Sequence, residues 1–184
     1  MEKKILIYSA GNKEKEDKIK TILHPEYTVE FISENELNQK LGYHFRLEGF
    51  DREDTETDES IAFDAMFLPV IPHEEIRELS TKLREQNADI ERKAMLTEHN
   101  RNWTILDLLK EINEEHTYFK KRAELNQLLL NSTKVKPEDI DAEIAPDFQK
   151  AVLFAYDTLQ DKESTTELFE KAIDTLLPLY QKVN

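Results

Sequence analysis

The chain has 184 residues, with 39 acids against 25 bases, a net charge of −14 and no cysteine. That balance excludes disulfides, thiolate metal sites and a cysteine nucleophile. It also opposes nucleic acid and anionic membrane surfaces, where affinity rests on Lys and Arg neutralising phosphates. Charged residues make up 35% and hydrophobic ones 39%, against the usual ~25% and ~45–50%, which suits a modest core under wide solvated helix faces.

Met1-Glu2-Lys3-Lys4 leads into only four apolar residues, Ile5 to Tyr8. A signal peptide needs an apolar stretch of about 7–15 residues and a membrane helix about 18 or more, so a cytoplasmic location is expected. Ile5-Leu6-Ile7-Tyr8 has the pattern of a strand buried on both faces. Ser9-Ala10-Gly11-Asn12 follows as a turn, with Asn12 placed to cap a helix over residues 13–23 that His24-Pro25 stops. Tyr27, Val29 and Phe31 alternate with Thr28 and Glu30, which predicts a half-exposed strand. Ser33 and Glu36 have capping-box spacing, and Gly42 would end the short helix they open.

Glu48 to Glu59 carries seven acids and one arginine, with Phe50 its sole apolar residue. Such charge predicts a mobile loop. Residues 64–68, Asp-Ala-Met-Phe-Leu, form a second apolar strand ended by Pro69. Ile76, Leu79 and Leu83 then recur at helical spacing as far as Asn87. Ile90 to Leu96 is a fourth strand, interrupted by Glu91, Arg92 and Lys93.

From Thr104 one stripe runs through Ile105, Leu109, Ile112, His116, Phe119 and Ala123 at steps of three and four, and continues toward Leu130. The basic run Lys120-Lys121-Arg122 reads as its solvated face. Pro137 opens a segment with Ile140 and Ile144. Pro146 falls in the first turn of a helix bearing Phe148, Val152, Ala155 and Leu159. Ser164 and Glu167 would cap a last helix with Leu168, Ala172, Leu176 and Leu179.

Alternation of this kind predicts an α/β fold over residues 1–117, a small four-stranded, mainly parallel open sheet with right-handed crossovers. The apolar strands belong in the centre and the charge-bearing ones at the edges, giving the order 2-1-3-4. Residues 118–184 form a helical C-terminal extension, a hairpin or small bundle packed on the long helix.

Ligands of an open α/β sheet bind beyond the carboxyl ends of its strands. Ser9, Gly11 and Asn12 follow strand one. Thr97, His99 and Asn100 follow strand four, with Trp103 close by. In the order 2-1-3-4 these groups can converge across one intervening strand. Glycines at 11, 42 and 49 alone supply neither a Walker loop nor a dinucleotide loop. A receiver-type phosphoacceptor needs carboxylates after strand one and an Asp at the end of strand three, where Ser9-Ala10-Gly11 and Leu68-Pro69 stand. Histidines 24, 44, 73, 99 and 116 include no i, i+4 pair for zinc. The acidic run Asp54-x-Glu56-x-Asp58 lacks the glycine and glutamate of a calcium loop, having Glu59 and Ala65 there. No serine lies in a nucleophile elbow. No metal, cofactor or catalytic residue is therefore expected. Trp103 has a structural reading, with Thr104 as helix cap, Asp107 completing the cap and Trp103 packing on Leu108. Its alternative is a binding anchor.

Lys93-Ala94-Met95-Leu96-Thr97-Glu98-His99-Asn100-Arg101-Asn102-Trp103 resembles an uncharacterised bacterial domain-of-unknown-function family marked by Lys-Ala-x-Leu-Thr-x-x-Asn-x-x-Trp before a Leu- and Glu-rich helix. Leu108, Leu109, Glu111, Glu115 and His116 continue that likeness, which covers roughly residues 1–117. The resemblance implies a small α/β domain, supplies no activity, and directs attention to Lys93, Thr97, Asn100 and Trp103. The expected function is a cytoplasmic protein-binding or regulatory module without catalysis, engaging a protein partner through the strand-four loop, the helical tail or both, or a second copy through the tail. A small-molecule or enzymatic domain acting at Ser9, Asn12, Thr97 and Asn100 is the alternative, and a structural homodimer subunit is the third reading. An enclosed polar pocket would favour the second of these, and an exposed apolar stripe on residues 140–180 the first or third.

Overall fold

In the computed structural model, which describes residues 3–55, 57 and 59–183, the chain divides into two compact units, one running through Asn113 and one from Glu114 onward. The first holds β1 (Lys4–Tyr8), α1 (Lys13–Leu23), β2 (Thr28–Ile32), α2 (Leu41–His44), β3 (Ala65–Leu68), α3 (His73–Glu85) and β4 (Arg92–Met95). It also holds the start of α4 (Ile105–Ser132), which continues into the second unit with α5 (Ala145–Gln160) and α6 (Thr166–Val183). Both this division and the expected border after residue 117 fall inside α4.

The sheet order is β2-β1-β3-β4, with β1 and β3 in the centre, β3 fully buried and β1 buried from Ile5 to Tyr8. β1 runs parallel to β2 from Lys4↔Thr28 to Tyr8↔Ile32, and β3 parallel to β4 from Ala65↔Arg92 to Leu68↔Met95. The two central strands are antiparallel, paired as Leu6↔Phe67, Ile7↔Met66 and Tyr8↔Ala65. The sheet is thus mostly parallel in the expected order, with its two halves running in opposite directions. The long connection over residues 33–64 permits this, because only a short loop or a single crossover would dictate strand direction.

Alternation along the strands builds two cores. Ile5, Ile7, Met66 and Leu68 pack against Ile19 and Leu23 of α1 and Leu79 and Leu83 of α3. Leu6, Tyr8, Ala65 and Phe67 pack against Leu37, Leu41 and the first turns of α4. Burying a side chain of this size contributes about 1.5–3 kcal/mol, so twofold-buried strands account for much of the unit's stability.

The acidic connection departs from the mobile loop expected of it. Gln39, 1% exposed, donates from Nε2 to the Glu53 carbonyl at 2.6 Å and accepts the Glu53 N–H at 2.8 Å. Lys40 pairs with Glu53 at 2.5 Å, and Lys110 with Glu59 at 2.9 Å. The Phe50 ring covers Gly42 so closely that a Cβ there would stand 2.6 Å from it. Further on, Tyr8 Oη donates to the Ile61 carbonyl at 3.0 Å and accepts its N–H at 3.3 Å. Charge density alone misses these contacts, since one glutamine and one aromatic ring suffice to fasten the segment. Glu56 and Asp58 of this stretch lie outside the described residues.

In the second unit, Leu125, Leu128 and Leu129 of α4 pack with Phe148, Ala151 and Ala155 of α5 and Phe169, Ala172 and Leu176 of α6. Pro137 opens only a 3-10 turn, Pro137–Asp139, while Pro146 sits in the first turn of α5 as its spacing predicts. The cap of α6 lies one residue later than expected. Thr165 Oγ1 accepts the Leu168 N–H at 3.4 Å, because the buried Ser164 hydroxyl donates to the Thr158 carbonyl at 2.7 Å.

Gly42→Ala is expected to cost about 1–3 kcal/mol through displacement of Phe50, measured as a lower urea midpoint. Replacing residues 48–59 with a short Gly-Ser linker should lower the melting temperature by several degrees. Unchanged stability in both variants would mean that the segment is not fastened to the unit.

Candidate functional site

The antiparallel centre separates the residues that strand order alone would bring together. Tyr8, Ala65 and Arg92 share one edge of the sheet, and Leu68 and Met95 lie toward the other. Ser9 and Asn12 therefore follow β1 at the first edge, whereas Thr97, Asn100 and Trp103 follow β4 at the opposite edge. A single pocket made from both groups is ruled out by strand direction.

At the first edge the turn is satisfied from within. Gly11 takes a φ of +96°, and its N–H donates to Ser9 Oγ at 3.3 Å. Glycine adopts that left-handed backbone without steric cost. Asn12 Oδ1 accepts the Lys15 N–H at 3.1 Å and caps α1. Asp64 then fills the place an anionic ligand would take. Its Oδ1 accepts the Ala10 N–H at 2.8 Å, and its Oδ2 pairs with Lys15 Nζ at 2.6 Å. Sequence reasoning did not single out Asp64; its one signal is a lone acid directly before an apolar strand.

At the opposite edge Thr97 and Asn100 bind each other. Asn100 Oδ1 accepts the Thr97 N–H at 2.7 Å, Thr97 Oγ1 accepts the Asn100 N–H at 3.1 Å, and Asn100 Nδ2 donates to the Met95 carbonyl at 2.9 Å. Trp103 is half-buried against the core that contains Leu108, and its ring meets His99 edge-on at 5.3 Å. Its carbonyl accepts the Leu41 N–H at 2.9 Å. Thr104 Oγ1 accepts the Asp107 N–H at 3.0 Å and donates to the Asp107 carboxylate at 2.7 Å, forming the expected cap. The Ile105 and Leu106 N–H groups reach the Gln39 and Leu37 carbonyls at 3.0 and 2.8 Å. First-turn donors without partners inside the helix are thereby satisfied. Lys93, on β4, donates to Asp89 at 3.0 Å and to the Ile90 carbonyl. Each of these side chains holds local structure.

Glu30, Glu36, Tyr43, His44 and Arg46 frame a hollow of about 180 Å³. His44 is 9% exposed, and its Nε2 has no hydrogen-bond partner among the described residues. Burial pushes its imidazole below the usual value, against the opposing pull of the Glu36 backbone and carboxylate. The cations at this hollow are committed to Glu30, which pairs with Lys4 at 2.5 Å and with Arg46 at 2.7 Å. Among the described residues no three His, Cys, Asp or Glu side chains gather to hold a metal.

The second unit carries a different kind of surface. Leu129, Ile140, Phe148, Val152, Leu153 and Tyr156 line a groove of about 440 Å³ between the end of α4, the 135–145 connection and α5. Leu153 is 60% exposed and Tyr156 51%. Its walls are predominantly apolar and carry no charged side chain, unlike the charged hollow framed by Asn35, Arg52 and Glu53 in the first unit.

Two outcomes follow. Asn100→Ala should lower unfolding stability by about 0.5–2 kcal/mol, as for a lost helix cap, because it removes the bonds to the Thr97 N–H and the Met95 carbonyl; a change within about 0.5 kcal/mol would show the loop to be free for a ligand. His44 is held below its ordinary value of 6.5, so its contribution is present above that pH and is lost as pH falls through it toward the folded value. Urea midpoints should therefore fall between about pH 7.5 and 5.5, and His44→Gln should remove most of that slope. An equal slope in the variant would assign it to other groups.

No curated protein and no solved structure matches the chain. No helix among the described residues is long and apolar enough to cross a membrane. One family profile does match, over residues 64–119, and its description is Domain of unknown function (DUF3783). Over that span, from Asp64 just before β3 into α4, the chain is similar to a domain of unknown function, which supports an uncharacterised domain over part of the residues 1–117 expected to resemble one.

Proposed function

We propose that this chain is a non-catalytic protein-docking module whose contact surface is the apolar groove of the second unit. The observation that carries this reading is the exposure of Leu153 and Tyr156 at the mouth of a groove floored by Phe148. Exposed contiguous apolar surface marks an interaction site more often than an isolated apolar side chain does. The loops at the sheet edges favour no small-molecule reading, because Ser9, Asn12, Lys93, Thr97 and Asn100 are engaged with their own backbone or neighbouring side chains.

Leu153→Asp/Tyr156→Asp tests the assignment. Both residues are exposed, so the melting temperature should move by no more than a degree or two. Proteins enriched by the wild-type chain from native lysate should be lost with this variant and kept with a Ser9→Ala/Asn12→Ala variant. A partner or metabolite retained by the groove variant but lost with the loop variant would transfer the function to the sheet edge.

A further inference from the structure

We propose that His44 is a proton-released latch: when its buried ring takes a proton from water, residues 42–50 lift away while the sheet stays paired. The inference is independent of the groove in the second unit. The segment hangs between two fixed points. Leu41, fully buried, donates its N–H to the Trp103 carbonyl at 2.9 Å, and Gln39 clamps Glu53 at 2.6 and 2.8 Å. Between them the chain is seated by the Phe50 ring on Gly42, by the pair of Arg46 with Glu30 at 2.7 Å, and by the His44 carbonyl, which accepts from Lys4 Nζ at 2.6 Å. Helix α2 within it is a single turn, and Arg46 just beyond holds a φ of +55°. That left-handed backbone disfavours any residue with a Cβ, so the segment is the weak point of its surroundings.

The seated ring is 9% exposed and hydrogen-bonds the Glu36 backbone, while its Nε2 is shut off from water with no partner among the described residues. A neutral imidazole tolerates this arrangement, because one nitrogen carries the N–H and the other only a lone pair. Protonation makes the idle nitrogen a second donor on a buried cation, and burying an unpaired donor and charge is costly. The groups around the ring divide. Lys4 on β1 opposes the new charge, whereas Glu36, ahead of α2, and Glu30 on β2 favour it. Both carboxylates are already engaged: Glu30 with Lys4 at 2.5 Å and Arg46 at 2.7 Å, and Glu36 with the Ser33 hydroxyl at 2.7 Å. The neighbouring Tyr43 ring meets the imidazole edge-on at 5.2 Å. Burial outweighs the carboxylates and holds the imidazole below its ordinary value of 6.5. The seat is therefore intact above that pH and loosens as pH falls below it, since the lifted ring protonates freely and the seated one does not.

Amide hydrogen exchange on the full chain, read by NMR, tests the latch. Phe45, Leu47 and Phe50 donate their N–H groups to the Leu41, Gly42 and Leu47 carbonyls, so each reports the seated segment. Their protection factors should fall by at least about threefold, and by no more than about tenfold, between about pH 7.5 and 5.5. Low urea should barely change them, as for a local opening. The central-strand amides of Ile7 and Phe67 should be better protected and should lose protection steeply with urea. His44→Gln should abolish the pH response of Phe45, Leu47 and Phe50. The wild type alone supplies a further readout: its His44 ring signals should titrate with a midpoint below 6.5. A midpoint at or above that value, protection that ignores pH, or a pH response kept in His44→Gln overturns the latch. So does a urea dependence at Phe45, Leu47 and Phe50 equal to that at Ile7 and Phe67, which would make the proton act on the whole unit.

Discussion

Leu6, Ile7 and Tyr8 face Phe67, Met66 and Ala65 across an antiparallel ladder, and the placement of every other part of the first unit depends on those three pairs. They join two parallel strand pairs of opposite direction into one sheet. They also put alternate side chains of both strands into two separate cores, since successive residues of a strand face opposite ways. A shift of one residue in this ladder would exchange the faces and set each core against the wrong helices.

The same ladder decides what the sheet edges can do. Strand direction keeps the two polar loops apart, and each loop closes on itself: Asp64 with Ala10 and Lys15 at one edge, Thr97 with Asn100 at the other. Groups that meet each other's hydrogen-bonding needs gain little from an added ligand, which must first displace an existing partner. The second unit is in the opposite condition. Its core is filled by Leu125, Phe148, Phe169 and their neighbours, yet Leu153 and Tyr156 remain exposed.

Strand order was legible because two wholly apolar segments, Ile5–Tyr8 and Ala65–Leu68, had to lie between two charge-bearing ones. The direction of β3 was not, since reversing a strand leaves its period-two pattern of buried and exposed residues unchanged. The attachment of residues 48–59 was hidden for another reason. Its energy sits in Gln39, Gly42 and Phe50, and none of these stands out against seven acids. At the sites, the Thr104–Asp107 cap could be read from spacing, and so could Asn12. Ser164 and Thr165 are adjacent hydroxyls, and only the tertiary bond of Ser164 to Thr158 decides between them. Periodicity set Phe148 and Ala155 on the buried stripe of α5 and left Leu153 and Tyr156 off it, but the groove itself escaped notice because it needs the end of α4 and the 135–145 connection as its other walls.

Both outer strands of the sheet carry charges that are already tied down. On β2, Glu30 is held by Lys4 and Arg46 at 2.5 and 2.7 Å. On β4, Arg92 hydrogen-bonds Asn113 at 2.9 Å and lies over the Phe63 ring at 4.3 Å, while Lys93 pairs with Asp89 at 3.0 Å. A further strand added at either side would have to dismantle or desolvate these pairs, which is how natural sheets resist edge-to-edge growth. Among the described residues the sheet therefore ends at four strands, on two edges whose charges are already paired.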